Sequence, residues 1–212
     1  MDQPGVVARP ITWRSEVQIL LPLLNTMAKR VFIAHRWGGT PNDDWYPWIK
    51  KELEFRGFKV IIPEMPNTEY PLIEEWVPTL EKAVGKADKD TYFIGHSVGC
   101  QAIMRYLQNI NVKVGGVLFV AGWLSLQELE TQEEKDVAEP WLTTPIDFDK
   151  VKLMANKITA LFTLDDPYVP ISDAVIFREK LAARTITEKN RGHYNEEKYE
   201  IILTEFLKLT NQ

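Results

Sequence analysis

Tyr92-Phe93-Ile94-Gly95-His96-Ser97-Val98-Gly99-Cys100 is the stretch whose reading decides the fold. Tyr92 to Ile94 is an apolar, strand-like run, G-H-S-V-G follows it, and Gln101 to Gln108 continues in a helical pattern. A serine between two glycines at a strand-to-helix turn is a nucleophile elbow. The chain turns so sharply that the serine adopts a strained backbone conformation and its hydroxyl stands above the sheet. Gly95 and Gly99 belong to that turn because a Cβ at either position would collide with the neighbouring strand or helix. Ser97 is therefore the candidate nucleophile.

Outward from the elbow, strand and helix patterns alternate, which implies a parallel sheet covered on both faces. Residues 31–34 read as the first strand, and His35-Arg36-Trp37-Gly38-Gly39-Thr40-Pro41 as a loop by its Gly and Pro content. Residues 45–56 carry Trp45, Trp48, Ile49, Leu53 and Phe55 near helical spacing, and Gly57 stops them. A strand over 59–62 ends at Pro63. Ile73, Trp76, Val77, Leu80 and Val84 mark a further helix face, whose regular part is expected from about Glu75 because proline is best tolerated in a first turn and Pro78 follows.

Beyond the elbow, residues 114–121 form an unbroken apolar strand closed by Gly122. A strand over 158–163, a helix over 171–183 with Ser172 as its cap, a strand over 184–188 and a helix over 199–209 complete the pattern. Residues 123–152 break the alternation. They are acidic through Glu128, Glu130, Glu133, Glu134, Asp136 and Glu139, then aromatic at Trp141 and Phe148. Two readings of this excursion stand side by side: a short lid over the serine, since the carboxyl ends of parallel strands face the ligand, or a solvated surface helix with a packing tryptophan.

The 212 residues, 45% of them hydrophobic, suit one domain with a substantial core. A formal charge of -5 argues against nucleic acid as a partner, since phosphate binding needs a basic face. The single cysteine, Cys100, excludes an internal disulfide and a Cys/His zinc cluster, and reads as a small, inert, buried thiol; no metal is expected. No apolar run reaches the eighteen or so residues of a membrane span. Residues 1–26 read as a leader or appended segment, because after Met27 the short Ala28-Lys29-Arg30 leads directly into the first strand; the domain then covers 27–212.

A serine hydroxyl needs a base to take its proton, usually an imidazole held by a carboxylate. Of three histidines, His96 precedes the nucleophile and reads as packing, and His35 lies too early for the chain order serine, acid, histidine. His193 remains, in the loop Asn190-Arg191-Gly192-His193-Tyr194. The acid is expected in Leu164-Asp165-Asp166-Pro167-Tyr168-Val169-Pro170, which offers two aspartates. Pro167 restricts the backbone of the residue before it, which favours Asp166 for aiming a carboxylate. The oxyanion of a tetrahedral intermediate needs preset donors. The Val98 N–H at the start of the elbow helix is one, and Arg36 or Trp37 in the loop after the first strand supplies the other. His35, Trp123 and Trp141 are the expected substrate-contacting side chains.

With Gly95-His96-Ser97-Val98-Gly99, Asp166 before Pro167-Tyr168-Val169-Pro170, and Gly192-His193 in order, the chain resembles the small serine hydrolases of the retinoblastoma-binding protein 9 type, the YdeN-like α/β-hydrolases. The likeness runs from about Lys29 to the C-terminus and includes Trp45-Tyr46-Pro47-Trp48-Ile49-Lys50-Lys51-Glu52-Leu53 and Met104-Arg105-Tyr106. The resemblance implies an α/β-hydrolase-type three-layer sandwich with a mostly parallel sheet, and a triad of Ser97, Asp166 and His193. It implies a compact, minimally capped enzyme acting on small esters or amides. With the residue pattern, the expected protein is a cytoplasmic serine hydrolase that works on small esters through an acyl-enzyme and requires no cofactor, its oligomeric state, monomer or homodimer, left open. The L-x-C-x-E retinoblastoma-pocket motif is absent, so that partner is not implied. Alternatives are an amidase or peptidase on short substrates, and a non-catalytic interaction protein that presents an aromatic surface around Trp37, Trp45, Trp48 and Trp141.

Overall fold

The structure is a computed structural model that describes residues 28–211; the reading of residues 1–26 falls outside them. Six strands form one sheet: β1 (Arg30–Ala34), β2 (Lys59–Ile61), β3 (Thr91–His96), β4 (Gly116–Val120), β5 (Ile158–Thr163) and β6 (Arg184–Glu188), in the order β2-β1-β3-β4-β5-β6. Every neighbouring pair is parallel. β3, β4 and β5 are buried along their whole length, which is why their sequences read as continuous apolar runs, whereas the edge strand β6 is half-buried to exposed. Because all strands run the same way, the loops after β1, β3, β4, β5 and β6 emerge along one edge of the sheet, where parallel sheets hold ligands.

The helices are α1 (Tyr46–Phe55), α2 (Ile73–Val84), α3 (Val98–Asn109), α4 (Gln132–Thr143), α5 (Phe148–Met154), α6 (Ser172–Leu181) and α7 (Glu200–Thr210). α1 buries Tyr46, Ile49 and Leu53 on one stripe. α3 is buried on all sides from Val98 to Leu107, so the elbow helix runs through the interior. α2 begins two residues before the expected start, and Pro78 falls in its second turn. The backbone N–H groups of Glu75 and Trp76 both bond the Leu72 carbonyl, at 3.1 and 2.9 Å, and the Trp76 indole donates to Pro66 O at 2.8 Å, which fixes the earlier start. Pro78 and Glu74 face solvent, so the Glu74 carbonyl that lacks an amide partner is open to hydration.

Ser172 is the first residue of α6 rather than its cap. The side chain at work there is Asp173, fully buried, whose carboxylate accepts the Leu124 and Ser125 N–H groups at 2.6 and 2.9 Å and the Ser125 hydroxyl at 2.7 Å. It pins the start of the excursion that follows β4. Within that excursion, α4 opens with a reciprocal capping box between Thr131 and Glu134, and α5 buries Val151 and Met154 against the body.

Candidate active site

Ser97 joins β3 to α3 with φ 54° and ψ −121°, a region nearly closed to residues with a Cβ, which costs on the order of 1–3 kcal/mol. Its N–H donates to Val120 O at 3.0 Å and its carbonyl accepts the Cys100 N–H at 2.9 Å, so both neighbouring elements hold the strained unit. A Cβ on Gly99 would lie 2.1 Å from Ala34 O and 2.7 Å from His35 O; one on Gly95 would lie 2.9 Å from the Cys100 backbone. Both glycines are thus required by close backbone approach. Burial pushes the Cys100 thiol far up, which leaves it inert.

His193 Nδ1 donates to the Asp166 carboxylate, 2.9 Å from Oδ2 and 3.0 Å from Oδ1, with both side chains buried. Asp166 Oδ1 also accepts the backbone N–H groups of Tyr168 and Val169 at 2.9 and 3.0 Å. The carboxylate is therefore fixed by its own loop, and the imidazole it holds is engaged through Nδ1, which leaves Nε2 outside the pair. The Tyr168 ring stands edge-on to His193, centroids 5.2 Å apart at 84°. The neighbouring Asp165 is exposed and binds other partners: the Thr163 hydroxyl and the N–H groups of Arg191 and Gly192, at 3.3 and 3.1 Å. These bonds, Thr163 foremost, hold its carboxyl down at about 2.

For the oxyanion, Val98 begins α3, directly after Ser97. Of the two residues expected to supply the second donor, Arg36 has its N–H committed to Tyr46 Oη at 3.0 Å. The Trp37 N–H has no acceptor among the described residues. The indole Nε1 of Trp37 donates to Glu69 O at 2.8 Å and fixes that side chain. The Arg36 guanidinium binds Asp44 Oδ2 at 2.7 Å and Trp37 O at 3.0 Å, so it braces the loop.

Ser97 and His193 line one cavity of about 360 Å³ together with Arg36, Trp37, Trp123 and Tyr168. Leu126, Leu129 and Glu134 from the excursion, Glu69 from the loop before α2, and Gly38 and Asn195 complete its wall. The excursion thus divides. Its first part borders the cavity, and Trp141 anchors the rest, its Nε1 donating to Pro71 O at 2.7 Å beneath the Arg105 guanidinium. Trp141 is therefore absent from the cavity wall, contrary to expectation. His35 is absent too: it is buried, donates from Nδ1 to Arg36 O at 3.0 Å and accepts the Met65 N–H at 3.3 Å, with Trp76 edge-on to its ring. Of the three expected substrate contacts, Trp123 alone lies at the site. Of the four tryptophans of the alternative aromatic docking surface, Trp45 and Trp141 are 0% and 2% exposed and contribute nothing to a surface, while Trp37 and Trp48 are half-buried.

Sequence reasoning missed the part played by His96, which packs as expected but also bonds Tyr46 and the His193 carbonyl. It also missed Glu69, Leu126, Leu129 and Asn195 in the cavity wall, for which no motif gives a signal. Among the described residues no group of three or more His, Cys, Asp or Glu could hold a metal ion, and no helix is long and apolar enough to cross a membrane.

The serine hydrolase family model matches residues 31–200. YdeN of Bacillus subtilis, named as a hydrolase, is 28% identical over 195 residues, covering 87% of this chain and all of that one. The serine hydrolase RBBP9 of Rattus norvegicus is 28% identical over 177 residues, 82% of this chain and 91% of its own. The crystal structure of Bacillus subtilis YdeN superposes with a TM-score of 0.79 at 26% identity, over 87% of this chain and 100% of that one. Est1E of Butyrivibrio proteoclasticus, solved with ferulic acid bound, shares the fold alone: TM-score 0.68 at 14% identity, over 87% and 90%. With its six parallel strands, elbow and covering helices, the chain has the α/β-hydrolase fold and belongs to the serine hydrolase family.

Proposed function

We propose that the protein cleaves small carboxylic esters through an acyl-enzyme intermediate formed on Ser97. The observation that carries this reading is the His193–Asp166 pair, 2.9 Å between Nδ1 and Oδ2, whose histidine lines the same cavity as the strained Ser97. In the proposed reaction His193 Nε2 takes the Ser97 proton as Oγ attacks the ester carbonyl. The negative charge that develops on the carbonyl oxygen is met by the N–H groups of Val98 and Trp37, each such donor being worth about 10²-fold or more in rate. The alkoxide leaves with the proton from His193, and water, deprotonated by the same imidazole, attacks the acyl-enzyme and frees Ser97. Asp166 keeps the proton on Nδ1 throughout.

Small substrates are favoured because the cavity is only about 360 Å³ and is walled by Trp37, Trp123 and Tyr168. Ester is preferred to amide in this reading on the weaker demand that an alkoxide leaving group makes on the acid. A fluorophosphonate probe should label the wild-type protein on Ser97, and Ser97→Ala should abolish labelling while the fold persists by circular dichroism. A folded wild type that remains unlabelled would refute the reading.

A further inference from the structure

Behind the site lies a chain of buried hydrogen bonds that the reaction just described does not use. The Arg36 N–H donates to Tyr46 Oη at 3.0 Å; Tyr46 Oη lies 2.6 Å from His96 Nδ1; His96 Nε2 lies 2.8 Å from His193 O. Tyr46 and His96 are both 0% exposed. Their donors and acceptors fit together in one way only. The His193 carbonyl can only accept, so His96 Nε2 carries a proton; in the neutral ring Nδ1 must then accept, so the Tyr46 hydroxyl donates to it, and the hydroxyl oxygen's remaining lone pair takes the Arg36 N–H. Burial pushes the His96 imidazole well below its ordinary value and the Tyr46 phenol well above its own, so both stay neutral in this arrangement. The nearest carboxylate, Asp44, has Oδ2 4.0 Å from His96 Nδ1 but is already paired with Arg36 Nε at 2.7 Å.

The two ends of this chain are what make it more than packing. One end holds the residue before Trp37, in the loop that supplies the second oxyanion donor; the other holds the carbonyl of His193 itself, while the middle is the residue before Ser97. The next carbonyl of the histidine loop is gripped from the same side, by the Trp45 indole donating to Tyr194 O at 3.0 Å. We propose that Tyr46 and His96 are positioning residues that set the oxyanion loop, the nucleophile and the catalytic histidine relative to one another through this single hydrogen-bonded chain. The proposal rests on the reading of Ser97 and His193 as the reacting pair.

Tyr46→Phe, His96→Leu, the double variant and His96→Gln test it, with kcat and KM on p-nitrophenyl acetate, the rate of fluorophosphonate labelling and Tm measured for each. Tyr46→Phe and His96→Leu should each lower kcat and the labelling rate about ten- to hundredfold with KM nearly unchanged, as small misplacements of reacting groups do. The double variant should be no slower than the worse single one, because both break one unit. His96→Gln, whose amide offers an acceptor and a donor, should recover most of the rate. Nitrogen NMR of wild-type His96 should show a protonated Nε2 and a bare Nδ1 on both sides of the pH at which ordinary histidines titrate, about 6.5. A fall in Tm with kcat and labelling unaltered, additive losses, or the opposite tautomer would overturn the proposal and leave the serine reading standing. An unlabelled wild type would overturn both.

Discussion

Asp165 and Asp166 grip the same histidine loop by different parts: Asp166 takes the His193 imidazole at 2.9 Å, and Asp165 takes the backbone N–H groups two and one residues before it. The two carboxylates therefore affect the reaction differently when neutralised. In Asp166→Asn the N–H groups of Tyr168 and Val169 hold the amide oxygen at the Oδ1 position and turn the NH₂ toward His193. Nδ1 must then become an acceptor, Nε2 carries the proton, and the imidazole cannot receive one from Ser97. A loss of about three to four orders of magnitude in kcat is expected, the scale found for triad acids of this type. Asp165→Asn keeps an oxygen for part of the loop and should cost about tenfold at most. Measuring kcat of both variants on one ester decides the assignment, and the reverse order would transfer the role to Asp165.

The elbow can be tested by crowding. Gly99→Ala would bring a methyl within 2.1 Å of Ala34 O, a backbone atom of the central sheet that cannot move aside alone. Unfolding in urea should show a destabilisation of about 3 kcal/mol or more, at the upper end of what overpacking produces. A midpoint equal to wild type would mean that α3 slides on the sheet more freely than its burial indicates.

Two buried histidines predict the acid sensitivity of the fold. Burial lowers the proton affinity of His96 strongly and of His35 less, so near and below pH 6.5 the unfolded chain binds protons that the folded chain does not. The stability is fully present above about pH 6.5 and is lost as pH falls toward the folded values, with a slope of up to about 1.4 kcal/mol per pH unit for each ring. Asp165 acts in a separate window, from its ordinary 3.8 down to about 2. Urea midpoints at pH 7.5 and 5.5 should therefore differ, and His96→Gln should flatten the difference. An equal slope in that variant would assign the effect to His35 alone.

Some of this was readable from residues in order, and the reason differs from element to element. β3, Ser97 and α3 were legible because the elbow's glycines answer to backbone clashes that do not depend on the rest of the chain. His193 can be singled out because three histidines leave little choice, and the structure sets it against Asp166. His35 and Trp141 were misassigned because the sequence tells which loop a residue occupies and not which way its ring faces. Their ring nitrogens find Arg36 O and Pro71 O in the interior, a preference visible only once the chain is folded. The chain from Tyr46 to His96 joins residues fifty positions apart with no motif between them. The start of α2 was misjudged because a general cost, a proline beyond the first turn, is outweighed locally by the Trp76 anchor.

The cavity wall predicts which esters are turned over. At about 360 Å³ it lies near the lower end of ordinary ligand pockets, and Leu126 and Leu129 line it from the excursion side. Acetyl and butyryl esters of p-nitrophenol should be cleaved about tenfold or more faster, by kcat/KM, than the decanoyl ester, and Leu129→Ala should narrow that ratio. Charge sorts substrates as well. The Arg36 guanidinium is occupied by Asp44, while Glu69 and Glu134 bring carboxylates to the wall, Glu134 held ionised by the backbone N–H groups of Thr131 and Glu130. An acyl group that ends in its own carboxylate meets repulsion without a free cation to offset it, so a succinyl monoester should fall below the butyryl ester by a few-fold at low salt. Glu69→Gln should reduce that gap, and added salt should reduce it further. A succinyl ester cleaved as fast as the butyryl ester at low ionic strength would mean that both carboxylates turn to solvent and leave the acyl pocket electrically neutral.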